Sequence, residues 1–326
     1  MKLNLLLICA CGLAAIGSLL LGPTAIPTDR AISGLFGYGT VSDITILQEI
    51  RLPRALAAFL VGAMLGLSGA ALQGLLRNPL AEPGVLGVSA TSALFATFTI
   101  YYGLTTVSGF FLPIAAIGGA MLATFFLAFA ALRISSVVVL ILIGVGLSSL
   151  AGALMSLLLN LAPNPFSLSD MVNWTMGSVA NRSYDDLSLA APFMLAGVAI
   201  LLASRRPLTA LSLGEDIAST IGVNLPKARL LIVIGCGLCT GAAVSIAGAV
   251  GFVGIVAPHL IRRFVHHDPG KTLIPAALLA GLILMLADLF IRIVPTNQEL
   301  KLGVVAALLG APVFILIATQ RLGAQK

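Results

Sequence analysis

Apolar runs long enough to cross a bilayer follow one another almost from end to end of this 326-residue chain, and nothing constrains its fold more. A bilayer's hydrocarbon core is about 30 Å thick, so a helix needs about 20 apolar residues to span it. With Gly, Pro and charges as punctuation, the runs predict ten helices with soft boundaries: residues 3–22, 53–76, 86–103, 112–132, 136–160, 188–203, 229–248, 250–265, 273–293 and 303–320. The eighth run is the most broken, by Gly248, Gly251, Gly254 and Pro258. The expected fold class is an all-α polytopic membrane protein. Only 9% of the residues are charged, against about 25% in a soluble domain, which leaves no room for a sizeable aqueous domain. Lys2 followed by an apolar run to Leu21 looks like a signal peptide, but the run is longer than usual and more spans follow, so a retained first helix is expected.

Lys and Arg set the orientation. With the N-terminus inside, twelve of the eighteen basic residues fall on the cytoplasmic side and six outside, a bias that predicts N-in, C-in. The net charge of +6 is explained by this topology, and no nucleic-acid-binding pattern is present. Cys9, Cys11, Cys236 and Cys239 all lie in apolar runs without polar neighbours, so they read as packing residues and no metal site is expected.

The chain also repeats itself. Leu52-Pro53-Arg54-Ala55 recurs as Leu225-Pro226-Lys227-Ala228, and Gly84-x-x-Gly87-Val88-x-Ala90 recurs as Gly251-x-x-Gly254-Ile255-x-Ala257. The first copy starts outside and the second inside, so this is an inverted internal repeat, a plan many transporters share. Gly62-x-x-x-Gly66 and Gly237-x-x-x-Gly241, at nearly corresponding places, are close-approach motifs for helix packing. One domain over 1–326 is expected, with a first half to about residue 203, a cytoplasmic segment 204–228 and a second half from 229.

Ser204 to Arg229 is the longest interruption of the apolar pattern. Ser212 and Glu215 have the spacing of a capping box, Asp216 adds charge to the first turn, and Gly222 supplies a C-cap before Pro226. Between them Ile217 and Ile221 fall at i and i+4 on one face. Two helical turns do not hold themselves together in water, so the element must rest on something larger. It reads either as an ordinary surface helix or as a docking element for a partner.

Three further clusters stand out. Arg51 and Arg54, with Arg292, lie at predicted outer helix ends, either snorkelling to the interface or forming a basic rim that grips carboxylates of an external protein. Arg77-Asn78-Pro79-Leu80-Ala81-Glu82-Pro83-Gly84 is a rigid non-helical break in which Arg77 and Glu82 are placed to pair, and such backbone at membrane depth usually lines a cavity. Asp288 is the only acid well inside a predicted span, and Arg292 at i+4 is its expected partner. There is no G-x-x-x-x-G-K-[ST], no H-E-x-x-H and no legible nucleophile–base pair, so the chain is not expected to be an enzyme.

The text of several segments resembles the membrane-spanning permeases of ABC importers for cobalamin, haem and iron–siderophore complexes. The segments are RLPRALAAFLVGA (51–63), NPLAEPGVLGV (78–88), LGEDIASTIGV (213–223), GAVGFVGIVAPHLIR (248–262), ADLFIR (287–292) and LGAPVF (309–314). The resemblance runs from about residue 45 to the end. It implies ten helices per subunit, a homodimer in the inner membrane with its path on the dimer axis, two copies of a separate ATPase that binds ATP and Mg, and a periplasmic substrate-binding protein. It implies no cofactor in this chain. Leu213, Gly214, Glu215, Asp216, Ile217, Ala218, Ile221 and Gly222 match the family's ATPase-coupling helices, and Arg51, Arg54 and Arg292 match its docking arginines. The inner gate falls at Ser135, Ser136, Val137 and Val138, less polar here than in a cobalamin permease. The segment Asn173–Ser178 fits the outer mouth, where Trp174 and Met176 line the opening and Arg182 follows. Lys301 departs from the proline that many members carry. The implied function is uptake of an Fe(III)–siderophore or related metal chelate, with haem or cobalamin as alternatives within the family. An ion-coupled secondary transporter is the rival from another class.

Overall fold

The computed structural model describes residues 2–134, 136–294 and 298–323, and among these no strand occurs. The helices in chain order are α1 (Lys2–Leu20), α2 (Thr28–Leu35), α3 (Val41–Leu75), α4 (Val88–Tyr101), α5 (Phe111–Arg133), α6 (Val137–Asn160) and α7 (Pro165–Thr175). They continue with α8 (Tyr184–Ala203), α9 (Arg205–Leu211), α10 (Glu215–Thr220), α11 (Leu225–Ala247), α12 (Val253–Arg262), α13 (Pro269–Ile293) and α14 (Leu302–Gly323). Among the described residues, seven of these (α1, α3, α5, α6, α8, α11 and α13) are long and apolar enough to cross a membrane, and α4 and the Leu302–Ile315 part of α14 are shorter apolar stretches. The chain is a multi-pass, all-helical membrane protein.

Several boundaries differ from the sequence reading, each for a local reason. The predicted 53–76 span begins much earlier, at Val41, because residues Thr45–Arg51 form a π-helical stretch that runs into Leu52 and Pro53. The predicted 250–265 span is only the ten residues of α12, about 15 Å of helix, half a bilayer. Gly248 at φ 69° and Phe252 at φ 66° hold its approach in an irregular loop. Short helices α2, α7 and α9 carry no spanning-length apolar run and were not predicted.

Two central helices, α3 and α11, organise the packing, and they do so crosswise. In lipid there is no hydrophobic drive between helices, so small residues that allow backbone approach set the interfaces. On α3, a Cβ at Gly62 or Gly66 would strike the backbone of Ala280 or Ala276 on α13. On α11, a Cβ at Gly237 or Gly241 would strike Thr124 or Ala120 on α5. The glycine pair of α3 thus packs on α13, after the polar segment, and that of α11 packs on α5, before it. Gly69 on α3 meets the carbonyl of Gly254 on α12 directly.

The two ends separate cleanly. At one end Arg51 reaches Leu19, Leu20 and Thr24, Tyr184 reaches Gln48, Arg292 reaches Ser18 and Arg54 reaches Glu299. At the other, Gly74, Arg205–Leu211 and Asp268–Lys271 come together. Gly69→Val is expected to lower stability by about 1–3 kcal/mol or more through overpacking against Gly254. Gly118→Val, where the added group meets nothing within 4 Å, is expected to stay within about 0.5 kcal/mol of the parent. Thermal unfolding of both variants in one detergent, followed by size exclusion, checks the pair.

Candidate functional site

At the predicted outer end, Asp288 of α13 is 1% exposed and lies between two guanidiniums. Arg54 Nη2 is 2.8 Å from its Oδ1 and Arg292 Nη2 is 2.9 Å from its Oδ2. The i, i+4 pair expected from the sequence is therefore present, and a cross-helix partner from α3 joins it. Arg54 also bridges to Glu299, the solvent-facing member of the group. Arg292 donates to the carbonyl of Ser18 at 3.0 Å and to its hydroxyl. Arg51, 4% exposed, caps the C-terminal end of α1 by donating to the carbonyls of Leu19 (2.6 Å) and Leu20 (3.0 Å). These are orphan helix carbonyls, and a cation suits that end of the helix dipole.

The free basic rim expected of Arg51, Arg54 and Arg292 is thus not what the structure presents. All three guanidiniums are turned inward and spent on α1, α13 and Glu299, because a charge in this setting must be paired or solvated. Ser18 and Glu299 were not anticipated as partners, since a serine inside an apolar run and an acid in a loop carry no pairing signal in sequence.

The irregular break after α3 lies against the irregular loop before α12. The predicted Arg77–Glu82 pair does not form. Arg77 turns outward at φ 48°, and Glu82 Oε2 accepts the N–H of Phe252 at 3.2 Å. Burial pushes the Glu82 carboxyl above its usual range, with the Phe252 hydrogen bond opposing. Ser148 of α6 donates to the carbonyl of Gly84 at 3.2 Å. Together the two breaks wall a cavity of about 340 Å³ that also touches Met155 of α6 and Thr175 at the end of α7. Irregular backbone here does line a cavity, as expected.

On the other side of the α7 C-terminus is a second recess of about 500 Å³, lined by Asp170, Asn173, Trp174, Arg182 and Lys301 among others. The Arg182 guanidinium carbon is 5.4 Å from the centroid of the Trp174 ring. Burial draws the Arg182 pKa down, and Asp186 draws it back up. Met176, the other expected mouth residue, is exposed. Of the expected gate residues, Ser135 lies outside the described residues. Ser136 caps α6 by accepting the N–H of Val139 at 3.4 Å, immediately before Val137, and Val138 is exposed.

At the predicted inner end, α10 is real but is capped differently from the sequence reading. Gly214 at φ 112° precedes it with no side-chain cap, and Ser212 donates instead to the carbonyl of Thr209 at 2.7 Å. Glu215 is drawn away to Arg229 on α11, at 2.7 Å. The other end is as expected: Gly222 at φ 87° donates to Ser219 and Val223 to Ala218, a Schellman closure. Asp216 offers only its carbonyl, to Ser219 and Thr220. Ala218 is the inward anchor at 0% exposure, while Leu213, Ile217 and Ile221 are 61%, 50% and 61% exposed. The apolar face faces out, not onto the protein.

Beside α10, Asp268 accepts from Thr209 Oγ1 at 2.7 Å and caps α13 through the N–H of Gly270. Burial pushes its carboxyl up, but the hydrogen bonds from Thr209 and Lys271 outweigh this and hold it below the usual range.

This multi-pass helical architecture has known relatives, and they give its class, a permease of the ABC-importer type. The model of the FecCD transport family matches residues 7–320. This chain belongs to that family. It is 40% identical over 293 residues to the uncharacterized ABC transporter permease protein YvrB of Bacillus subtilis, covering 88% of this chain and 82% of that one. It is also 40% identical over 270 residues to the vitamin B12 import system permease protein BtuC of Klebsiella pneumoniae, covering 82% and 81%. A solved inward-facing structure assigned to the metal-chelate type of ABC transporter superposes with a TM-score of 0.85 at 31% identity, over 98% of this chain and 99% of that one. The family supplies permease subunits, with the ATPase on a separate chain.

Asp288→Asn would leave two buried guanidiniums short of a carboxylate and is expected to destabilise the protein by about 3–5 kcal/mol. Asp288→Asn combined with Arg292→Gln is expected to recover part of that loss. Unfolding midpoints of the two variants in a common detergent give the comparison.

Proposed function

We propose that this permease moves an Fe(III)–siderophore or related metal chelate across the inner membrane as a homodimer, with two ATPase subunits at the α10 end and a substrate-loaded periplasmic binding protein at the other. The observation that carries the chelate reading is the end-to-end likeness to the metal-chelate transporter. Cobalamin is the second reading, favoured by the 40% identity to BtuC, and haem belongs to the same range. ATP binding closes the ATPase pair, the movement reaches the helices through α10, and the axial path alternates between outward- and inward-open states.

The coupling assignment rests on shape. A two-turn helix pinned by Ala218, Arg229 and Gly222 that turns Leu213, Ile217 and Ile221 to solvent is built to fill a partner's cleft. Docking at the outer end is read differently from the bare sequence. Arg51 and Arg292 fix the surface, and Arg54, whose second partner Glu299 is 42% exposed, is the cation an incoming acidic side chain would compete for. A proton relay has little to work with, since Asp288 is held between two arginines.

Ile217→Asp with Ile221→Asp changes only solvent-facing positions. The variant is expected to insert and unfold like the parent while losing co-purification of the co-encoded ATPase. ATPase retained at parental stoichiometry would remove α10 from the coupling role. ATP-driven uptake of labelled ferric siderophore against labelled cobalamin, in proteoliposomes with ATPase and binding protein, decides between the two cargo readings.

A further inference from the structure

The residues that line the recess beside α7 carry hydrogen-bond donors that the protein does not use. Trp174 is 8% exposed, yet its indole Nε1 has no partner, and Arg182 Nε is likewise buried without one. Leaving a buried donor unpaired is costly, so two in one recess call for an explanation. The guanidinium of Arg182 rests over the Trp174 ring, an arrangement that fixes its plane and presents its fork in one direction. Among the described residues Lys301 forms no ion pair, although it lines the same recess. The acidic groups nearby do not absorb these donors. Asp170 is exposed at the recess, and Asp186 is occupied in capping Ser183.

We infer that this recess binds an oxyanionic group, a carboxylate on the periphery of a small metal chelate, received by Arg182, Lys301 and the Trp174 indole N–H. The inference rests on the importer reading for its choice of ligand and adds the chemistry of the group recognised. A planar guanidinium beside an ammonium suits a carboxylate, which accepts from both at once. The recess favours a small molecule over a protein side chain: about 500 Å³ is within the range of small-ligand sites, about 300–1,000 Å³, and its key donor atoms are buried. Only the α7 C-terminal turn lies between it and the cavity at the two breaks, since Trp174 lines one and Thr175 the other. A chelate held here is one helical turn from the deeper cavity.

Trp174 is the chain's only tryptophan, so intrinsic emission of the full-length permease in nanodiscs reports on this recess alone. The probes are gallium(III)–EDTA, an anionic carboxylate chelate, and gallium(III)–desferrioxamine B, a cationic hydroxamate chelate. A saturable emission change is expected with the first and none with the second. Lys301→Gln, which leaves the reporter stack intact, is expected to raise the half-saturation concentration about tenfold, the loss of one charge-assisted hydrogen bond, and Arg182→Gln at least as much. Lys301→Arg should restore binding. Absence of a saturable response to gallium(III)–EDTA, an equal response to the cationic chelate, or Lys301→Gln binding like the parent would each overturn the site. The same emission change produced by chelate-free binding protein would overturn the small-molecule assignment. ATP-driven chelate uptake is scored separately in proteoliposomes: uptake without an emission response removes the recess and leaves the chelate-cargo reading, whereas a response without uptake keeps the recess and removes that cargo reading.

Discussion

Asp288 sits at the point on which one end of this permease depends. A carboxylate at 1% exposure survives only if its charge is answered, and here two helices answer it, with Arg54 from α3 and Arg292 from its own turn. The same arginines extend the network: Arg292 to Ser18 on α1 and Arg54 to Glu299 before α14. Four segments distant in sequence are thereby registered at one level. Arg51 completes the arrangement from a π-helical stretch, reaching carbonyls at the end of α1 that have no other partner in the helix. The outcome is a charged layer that is structural first. Any docking role must operate through its one exposed member, Glu299, and the arginine behind it.

Below that layer the fold is governed by close backbone approach. The glycine pairs of α3 and α11 pack on α13 and α5, each on the opposite half, which makes the halves interdependent rather than adjacent. The same crossing brings the two broken segments together, where Glu82 holds the N–H of Phe252. Backbone that is not helical must find partners within the protein when lipid supplies none. Glu82 and Ser148 meet that demand from side chains, and the space they leave is the cavity. The recess around Trp174 and Arg182 lies beside it, with Trp174 in one wall and the next residue, Thr175, in the other.

The long helices, the polar interruption and the short helix within it were legible in sequence because each depends on short-range information: apolar run length and glycine and proline placement. The Asp288–Arg292 pair was legible for the same reason, being four residues apart on one helix. The capping box at Ser212 and Glu215 was legible but wrong, since Arg229, fourteen residues on, outcompetes a backbone N–H for the Glu215 carboxylate. The pairing of Arg77 with Glu82 failed similarly, with a backbone N–H some 170 residues away taking its place.

By itself, then, the amino-acid sequence determined that the chain is a multi-pass helical membrane protein with a short helix in its longest polar interruption, because hydrophobic run length and local turn chemistry act within a few residues. Only the tertiary structure decided where the charges go. It turned the arginines of the expected rim inward, directed Ile217 and Ile221 to solvent, and gathered Trp174, Arg182 and Lys301 around one recess. The physical reason is that a charge or an unpaired N–H is satisfied by whatever the fold brings within about 3 Å, and sequence distance places no limit on that choice.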